Sequence, residues 1–191
     1  MVRTLPFISG RTVRAGVSGA LTLLLTGAFS APSSAAEESP PSYCVMVYGV
    51  AVSATAPSPL LYEYCSTKGR DDAYKHLNSP TTLARLGRSR AFASRALLMT
   101  WFEDADYNAD NEDADKTDIF GDEGPCDTAG YRIEPNNDWK GKISSIGGTV
   151  ECNRATLTNR DLNYAETQIL PTPWVGEKLD NNIGLVNVFH R

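Results

Sequence analysis

From position 43 onward, apolar residues come in short runs broken by turn-forming residues, not in long helical stripes. Tyr43 to Ser53 (YCVMVYGVAVS) is β-branched and aromatic and predicts a strand; Leu60 to Cys65 (LLYEYC) predicts a second. The Ala-Pro-Ser-Pro stretch at 56–59 predicts the turn joining them into a hairpin. Asp71 or Asp72 predicts the cap of a short helix running through Leu77, and Ser79-Pro80 opens a second helical segment to about Ala96. Beyond it, candidate strands are Leu97–Phe102, Thr117–Phe120, Gly130–Ile133, Lys142–Ile146, Thr149–Cys152, Ala155–Thr158 and Leu185–Phe189. Strands spaced by about 8–12 residues, with Gly, Asn, Asp and Pro between them, predict an all-β sandwich.

The first 36 residues follow a different pattern. Arg3, Arg11 and Arg14 make a positive region, Ala15 to Phe29 is uncharged and mostly apolar or small, and Ser34-Ala35-Ala36 offers a cleavage site. This predicts a secretory signal peptide over residues 1–36. Gly19, Thr22, Thr26 and Gly27 interrupt the apolar run, which falls short of the roughly 20 residues that span a bilayer. No later segment is apolar enough to span, so the expected product is secreted, with residues 37–96 as an extension and 97–191 as the main domain.

Charge and cysteines narrow the partners. Removing residues 1–36 takes away three arginines and no acid, moving the formal charge from −5 to −8. An acidic chain is a poor partner for nucleic acid and suits cations or basic protein surfaces. Within the connector, Arg85, Arg88, Arg90 and Arg95 lie with no acid between Pro80 and Thr100, which reads as a solvated basic stretch balancing the acidic one that follows. The four cysteines, Cys44, Cys65, Cys126 and Cys152, predict two disulfides, with three connectivities open. Cys44–Cys65 with Cys126–Cys152 is preferred, because each pair lies within one composition block. Each would close a loop of roughly 20–25 residues and stabilise by about 3 kcal/mol. Zinc is disfavoured by the lack of Cys-x-x-Cys spacing and by having only His76 and His190.

Trp139-Lys140-Gly141-Lys142-Ile143-Ser144-Ser145, followed by Cys152, resembles the Trp-Asn-Asp-x-Ile-Ser-Ser core of βγ-crystallin Greek keys. Phe102 to Ala109, with Tyr107, is similar to the aromatic hairpin that opens such a key, with Ala109 where the family has a glycine of positive φ. The second hairpin, Leu157 to Tyr164, lacks the first aromatic and the glycine. The likeness covers residues 97–191 and is to small secreted actinobacterial proteins, a group related in fold to metalloproteinase inhibitors and killer-toxin-like proteins. It implies a two-Greek-key sandwich over that span; residues 43–96, read above as an N-terminal disulfide hairpin and short helical connector, lie outside the likeness.

The resemblance also implies calcium. Family loops of the Asn/Asp-Asn/Asp-x-x-Ser/Thr-Ser type clamp two ions in a crossed arrangement, with hard oxygen donors suited to Ca²⁺. In this chain loop 140–145 keeps the hydroxyls and loses the carboxyl or amide donors, while loop 180–185 (Asp180-Asn181-Asn182-Ile183-Gly184-Leu185) does the reverse. Two readings stay open: one weak site, from Asp180 and Asn181 with Ser144, or a degenerate fold element without an ion, which the repulsion of Lys140 and Lys142 favours. The acidic run Asp104-x-Asp106-x-Asn108-x-Asp110, ending at Asp115, is similar to an EF-hand loop but has Ala109 at the sixth position and Asp at the twelfth. It reads as a solvated acidic hairpin.

No nucleophile or zinc-protease motif surrounds either histidine, and acids this abundant single out no catalytic pair. Trp101, Trp139 and Trp174 read as packing residues before a sugar platform. The expected function is non-catalytic binding. An alternative is inhibition of an extracellular protease through Gly121–Pro125 or Leu170-Pro171-Thr172-Pro173-Trp174, where proline lowers the ordering cost of binding. An antimicrobial toxin, which calls for a marked cationic or hydrophobic face, is the least suited to an acidic chain.

Overall fold

The computed structural model describes residues 42–86 and 95–191. The signal peptide expected over 1–36, residues 37–41, Arg88 and Arg90 lie outside the described residues. Chain order is β1 (Tyr43–Tyr48), β2 (Leu60–Ser66), α1 (Arg70–Leu77), α2 (Pro80–Arg85), β3 (Ala96–Phe102), β4 (Lys116–Gly121) and β5 (Tyr131–Ile133). Then follow β6 (Ser145–Gly148), β7 (Arg154–Asn159), β8 (Ala165–Ile169) and β9 (Ile183–Phe189). Among the described residues the class is all-β with two short α-helices and a 3-10 turn at Ala105–Asn108.

Two sheets form, one of five strands in the order β2-β1-β4-β3-β6 and one of four in the order β5-β9-β7-β8. Strand alternation explains how they pack. In β7 every second residue (Ala155, Leu157, Asn159) is buried, and Trp101 of β3, Ile119 of β4, Ile146 of β6 and Val186 of β9 join Leu157 in one core between the sheets. β6 returns beside β3, and β9 beside β7, while β5 leaves the strands that precede and follow it and pairs with β9.

Residues 43–66 form the expected hairpin and also join the larger sheet. β1 pairs antiparallel with β2 on one side and parallel with β4 on the other, which places it between them. Fully buried apolar runs suit such a position, and Cys44 to Tyr48 are all buried. Cys44 and Cys65 face each other across β1 and β2 and are bridged; the second bridge joins Cys126 and Cys152. The preferred pairing is the one found. A separate cluster of Val45, Val47, Tyr62, Ala73, Leu77 and Phe120 seats α1 on the outer face of this sheet. Two disulfides are compatible with an oxidising, extracellular setting. Among the described residues no helix is long and apolar enough to cross a membrane.

Several boundaries differ from expectation, each for a local reason. Asp71 and Asp72 lie inside the first turn of α1 and do not cap it; the N-cap is Gly69. The Asp72 carboxylate instead accepts from Ser66 Oγ at 2.6 Å and Tyr64 OH at 3.2 Å. Ser79 does cap α2, accepting from the Thr82 amide, but this helix ends at Arg85 and Ala96 already belongs to β3. Thr149–Cys152 is a turn rather than a strand, closed by the Cys152 amide donating to the Thr149 carbonyl (3.2 Å) and hydroxyl (3.1 Å). β8 was not expected: Ala-Glu-Thr-Gln-Ile has little β-branched or aromatic density.

Candidate functional site

The loop entering β9 and the loop entering β6 lie against each other. The Asn181 amide donates to the Ile143 carbonyl at 3.2 Å, which fixes the two backbones in contact. Asn181 takes up a left-handed conformation, φ 54°, that asparagine tolerates better than most residues. Its carboxamide reaches the other loop: with the amino group inward it donates to the Gly141 and Lys142 carbonyls, each at 3.2 Å. Asp180 stands next to it, half-buried, with Oδ1 shielded from solvent and making no hydrogen bond.

Ser144 lies beyond Ile143, with its amide on the Phe102 carbonyl and its own carbonyl accepting from the Val175 amide. No hydrogen bond among the described residues joins its hydroxyl to Asp180 or Asn181. Ser145 is engaged elsewhere, donating to the Asp104 carbonyl at 2.7 Å and accepting from the Tyr107 amide at 3.0 Å. Thus Asp180 and Asn181 meet the 141–143 backbone, while the backbone of Ser144, one residue further on, is tied to Phe102 and Val175.

The charges around the loop are arranged differently from what the sequence implies. Lys142 turns away to Asp115 (2.5 Å) and Glu103 (3.6 Å). Burial alone would raise Asp115, but hydrogen bonds from Lys142 and from the Ser42 amide and hydroxyl outweigh it and hold the carboxyl below its usual range. A different cation stands close: an Arg160 guanidinium nitrogen lies 3.9 Å from where a Cβ on Gly141 would sit.

The EF-hand-like run does not gather its donors. Asn108 is buried and closes its own loop, accepting from the Asp104 amide and donating to the Ala114 and Asp115 carbonyls. Asp104 accepts from the Asn111 side chain, and Asp115 points to Ser42 and Lys142. No group of three or more His, Cys, Asp or Glu residues suited to a metal occurs among the described residues. Ala109, where the family has its glycine, has φ −60°; the positive φ values of this hairpin fall on Asp106, Tyr107 and Asn108, at 51°, 62° and 60°.

The two proline-bearing segments also separate. In 121–125 only Glu123 and Pro125 are exposed, and the Tyr131 hydroxyl donates to the Gly124 carbonyl, so the loop is packed inward. In 170–174, Thr172 exchanges two backbone hydrogen bonds with Ile146, and the Pro173 carbonyl accepts from the Asp106 amide at 2.7 Å. Trp174 next to it is 51% exposed, whereas Trp101 and Trp139 are core residues with ring centroids 6.1 Å apart.

Sequence reasoning passed over one buried carboxylate. Asp118 on β4 accepts from Tyr43 OH (2.8 Å), Tyr74 OH (2.5 Å) and Thr100 Oγ1 (2.6 Å), with Arg70 at 3.8 Å. Burial, and then the hydrogen bond to Asp118, pushes Tyr74 up to about 12. Burial also raises Tyr43, with Asp118 adding to it, so both phenols remain donors at neutral pH. The cluster ties α1, β1 and β3 to β4. Its only sequence signal was an acid inside the run Thr117-Asp118-Ile119-Phe120. Neither a protein-family model, nor a curated protein, nor a solved structure matches this chain.

Proposed function

We propose that this chain is an exported, non-catalytic binding domain of the βγ-crystallin type that holds one weak calcium ion at its crossed loops. The topology supports the family reading: β6-β3-β4 and β9-β7-β8 each have the fourth-first-second order of a Greek key. The third strand of the first unit, β5, sits in the other sheet, and Thr172, from the segment between β8 and β9, pairs with β6.

The observation that carries the calcium reading is Asp180 Oδ1, shielded and without a partner beside a carboxamide that spans two carbonyls. Turned about its terminal bond, the Asn181 amide would present its oxygen alongside the Gly141 and Lys142 carbonyls. Asp180 would supply the negative charge. These donors number fewer than the six to eight oxygens Ca²⁺ takes, so water completes the shell and affinity is low. Lys142, held by Asp115 and Glu103, is removed from the site; Arg160, beside Gly141, joins Lys140 as a competing cation.

Calorimetric titration of calcium into chelator-treated protein, with melting temperature followed in parallel, tests this. Saturable binding with a raised melting point is expected, lost in Asp180→Ala and strengthened in Arg160→Gln. An unchanged response in Asp180→Ala would remove the site. A protease-inhibitor reading draws on one feature, the exposed Trp174 on a segment clamped at Thr172 and Pro173. Its prolines lack amide hydrogens, so a protease would have to grip side chains rather than pair with the backbone.

A further inference from the structure

The two sheets have four edges, and three of them are altered or covered. β2 carries a bulge opposite Val47 and Tyr48, and the Asn136 side chain reaches over to Glu63 at 2.5 Å. Beyond β6, Thr172 pairs with Ile146 in both directions, flanked by Pro171 and Pro173, which cannot donate. Beyond β5, the Ser58 amide donates to the Arg132 carbonyl at 2.6 Å, and its hydroxyl accepts from the Arg132 amide at 3.1 Å.

β8 has none of these devices. It is regular over five paired residues, contains no proline and, among the described residues, pairs with β7 alone. Hydrogen bonds from Asn159 to Tyr164 and from Leu170 to Asn153 bracket its ladder. Antiparallel alternation then turns the backbone groups of Ala165, Thr167 and Ile169 outward. All three residues are exposed, with Ile169 at 64%.

We propose that β8 pairs with β8 of a second copy of this chain, antiparallel about Thr167. The outward-facing positions are symmetric about that residue, so a two-fold axis there satisfies all three at once. Ala165 then faces Ile169 of the second copy and covers exposed apolar surface, while Thr167 faces its own equivalent. Charge fits this register, because Glu166 stands opposite Gln168 of the second copy and no like charges face directly. Thr156 and Thr167 already share a 2.7 Å hydroxyl contact on the exposed face, which the pairing extends across the axis. The result is a continuous eight-stranded sheet built from two four-stranded ones.

Sedimentation across a range of protein concentrations, together with amide exchange at residues 165–169, tests the pairing. The expected result is a concentration-dependent dimer in which the Ala165, Thr167 and Ile169 amides exchange slowly only when dimeric. Thr167→Pro removes an amide that makes no bond to β7, and Thr167→Lys sets two like charges face to face. Each should weaken dimerisation by about tenfold or more while the dilute protein keeps its melting temperature. A monomer at every concentration overturns the proposal, as does a dimer indifferent to both variants. Protection of these amides by an added extended peptide, in a chain that stays monomeric, also overturns it.

Discussion

The two outer faces of the sandwich contrast sharply. The outer face of the five-stranded sheet is buried under α1, with Leu77 and Ala73 packed on Val45, Val47 and Phe120 and the helix tied by polar bonds to Asp118. The outer face of the four-stranded sheet is open: Thr156 and Thr158 are half-buried and β8 is exposed along nearly its whole length. Residues 43–86 therefore do more than extend the sheet; they give it a second, smaller core. One face thus depends on tertiary packing for its stability, while the other is left for solvent or association.

The contrast predicts unequal sensitivity to substitution. Leu77→Ala on the covered face should cost about 3 kcal/mol in denaturant unfolding, through lost burial and a cavity. Thr158→Ala on the open face should stay within about 0.5 kcal/mol. Equal effects would mean that α1 is not an integral layer. Asp118→Ala should cost about 2 kcal/mol, since it leaves buried hydroxyls of Tyr43, Tyr74 and Thr100 without their acceptor. It should also speed amide exchange in α1 more than in β7 or β9, which separates loosening of the helix from general unfolding.

A smaller effect is expected at the link between the N-terminal strand and the acidic hairpin. The folded Asp115 carboxyl lies below its usual value, so its stabilisation is present above the unfolded value of about 3.9 and is lost as pH falls through the folded one. Lys142 is 37% exposed, so screening keeps the contribution to about 1 kcal/mol or less. Stability measured against pH should show this loss below about pH 4 in the native chain, and Asp115→Asn should flatten it. An identical slope in both would show that the ion pair adds nothing.

Much of this molecule was legible in local sequence. The strands at 43–48, 60–66, 116–121 and 183–189 carry β-branched or aromatic runs, and such runs bury themselves in sheets whatever the partner. The cysteine pairs were legible because each closes a short loop within one block. β8 was not, since an edge strand with one exposed face needs no apolar alternation to pair. Positive φ falls on Asp106–Asn108, where the buried Asn108 side chain closes its own loop through three hydrogen bonds to backbone atoms.

For the candidate site, the sequence identified the donor types at Asp180 and Asn181 and the lysines that would oppose a cation. Only the fold decided that Lys142 is drawn to Asp115, that Arg160 stands by Gly141, and that Asn181 spans two carbonyls. The physical reason is the range of the interactions. Strand propensity, turn chemistry and short disulfide loops act between near neighbours and can be read along the chain. The parallel seat of β1 beside β4, the burial of Asp118 and the choice of which edge stays open come from contacts between residues far apart in sequence, which no local pattern records.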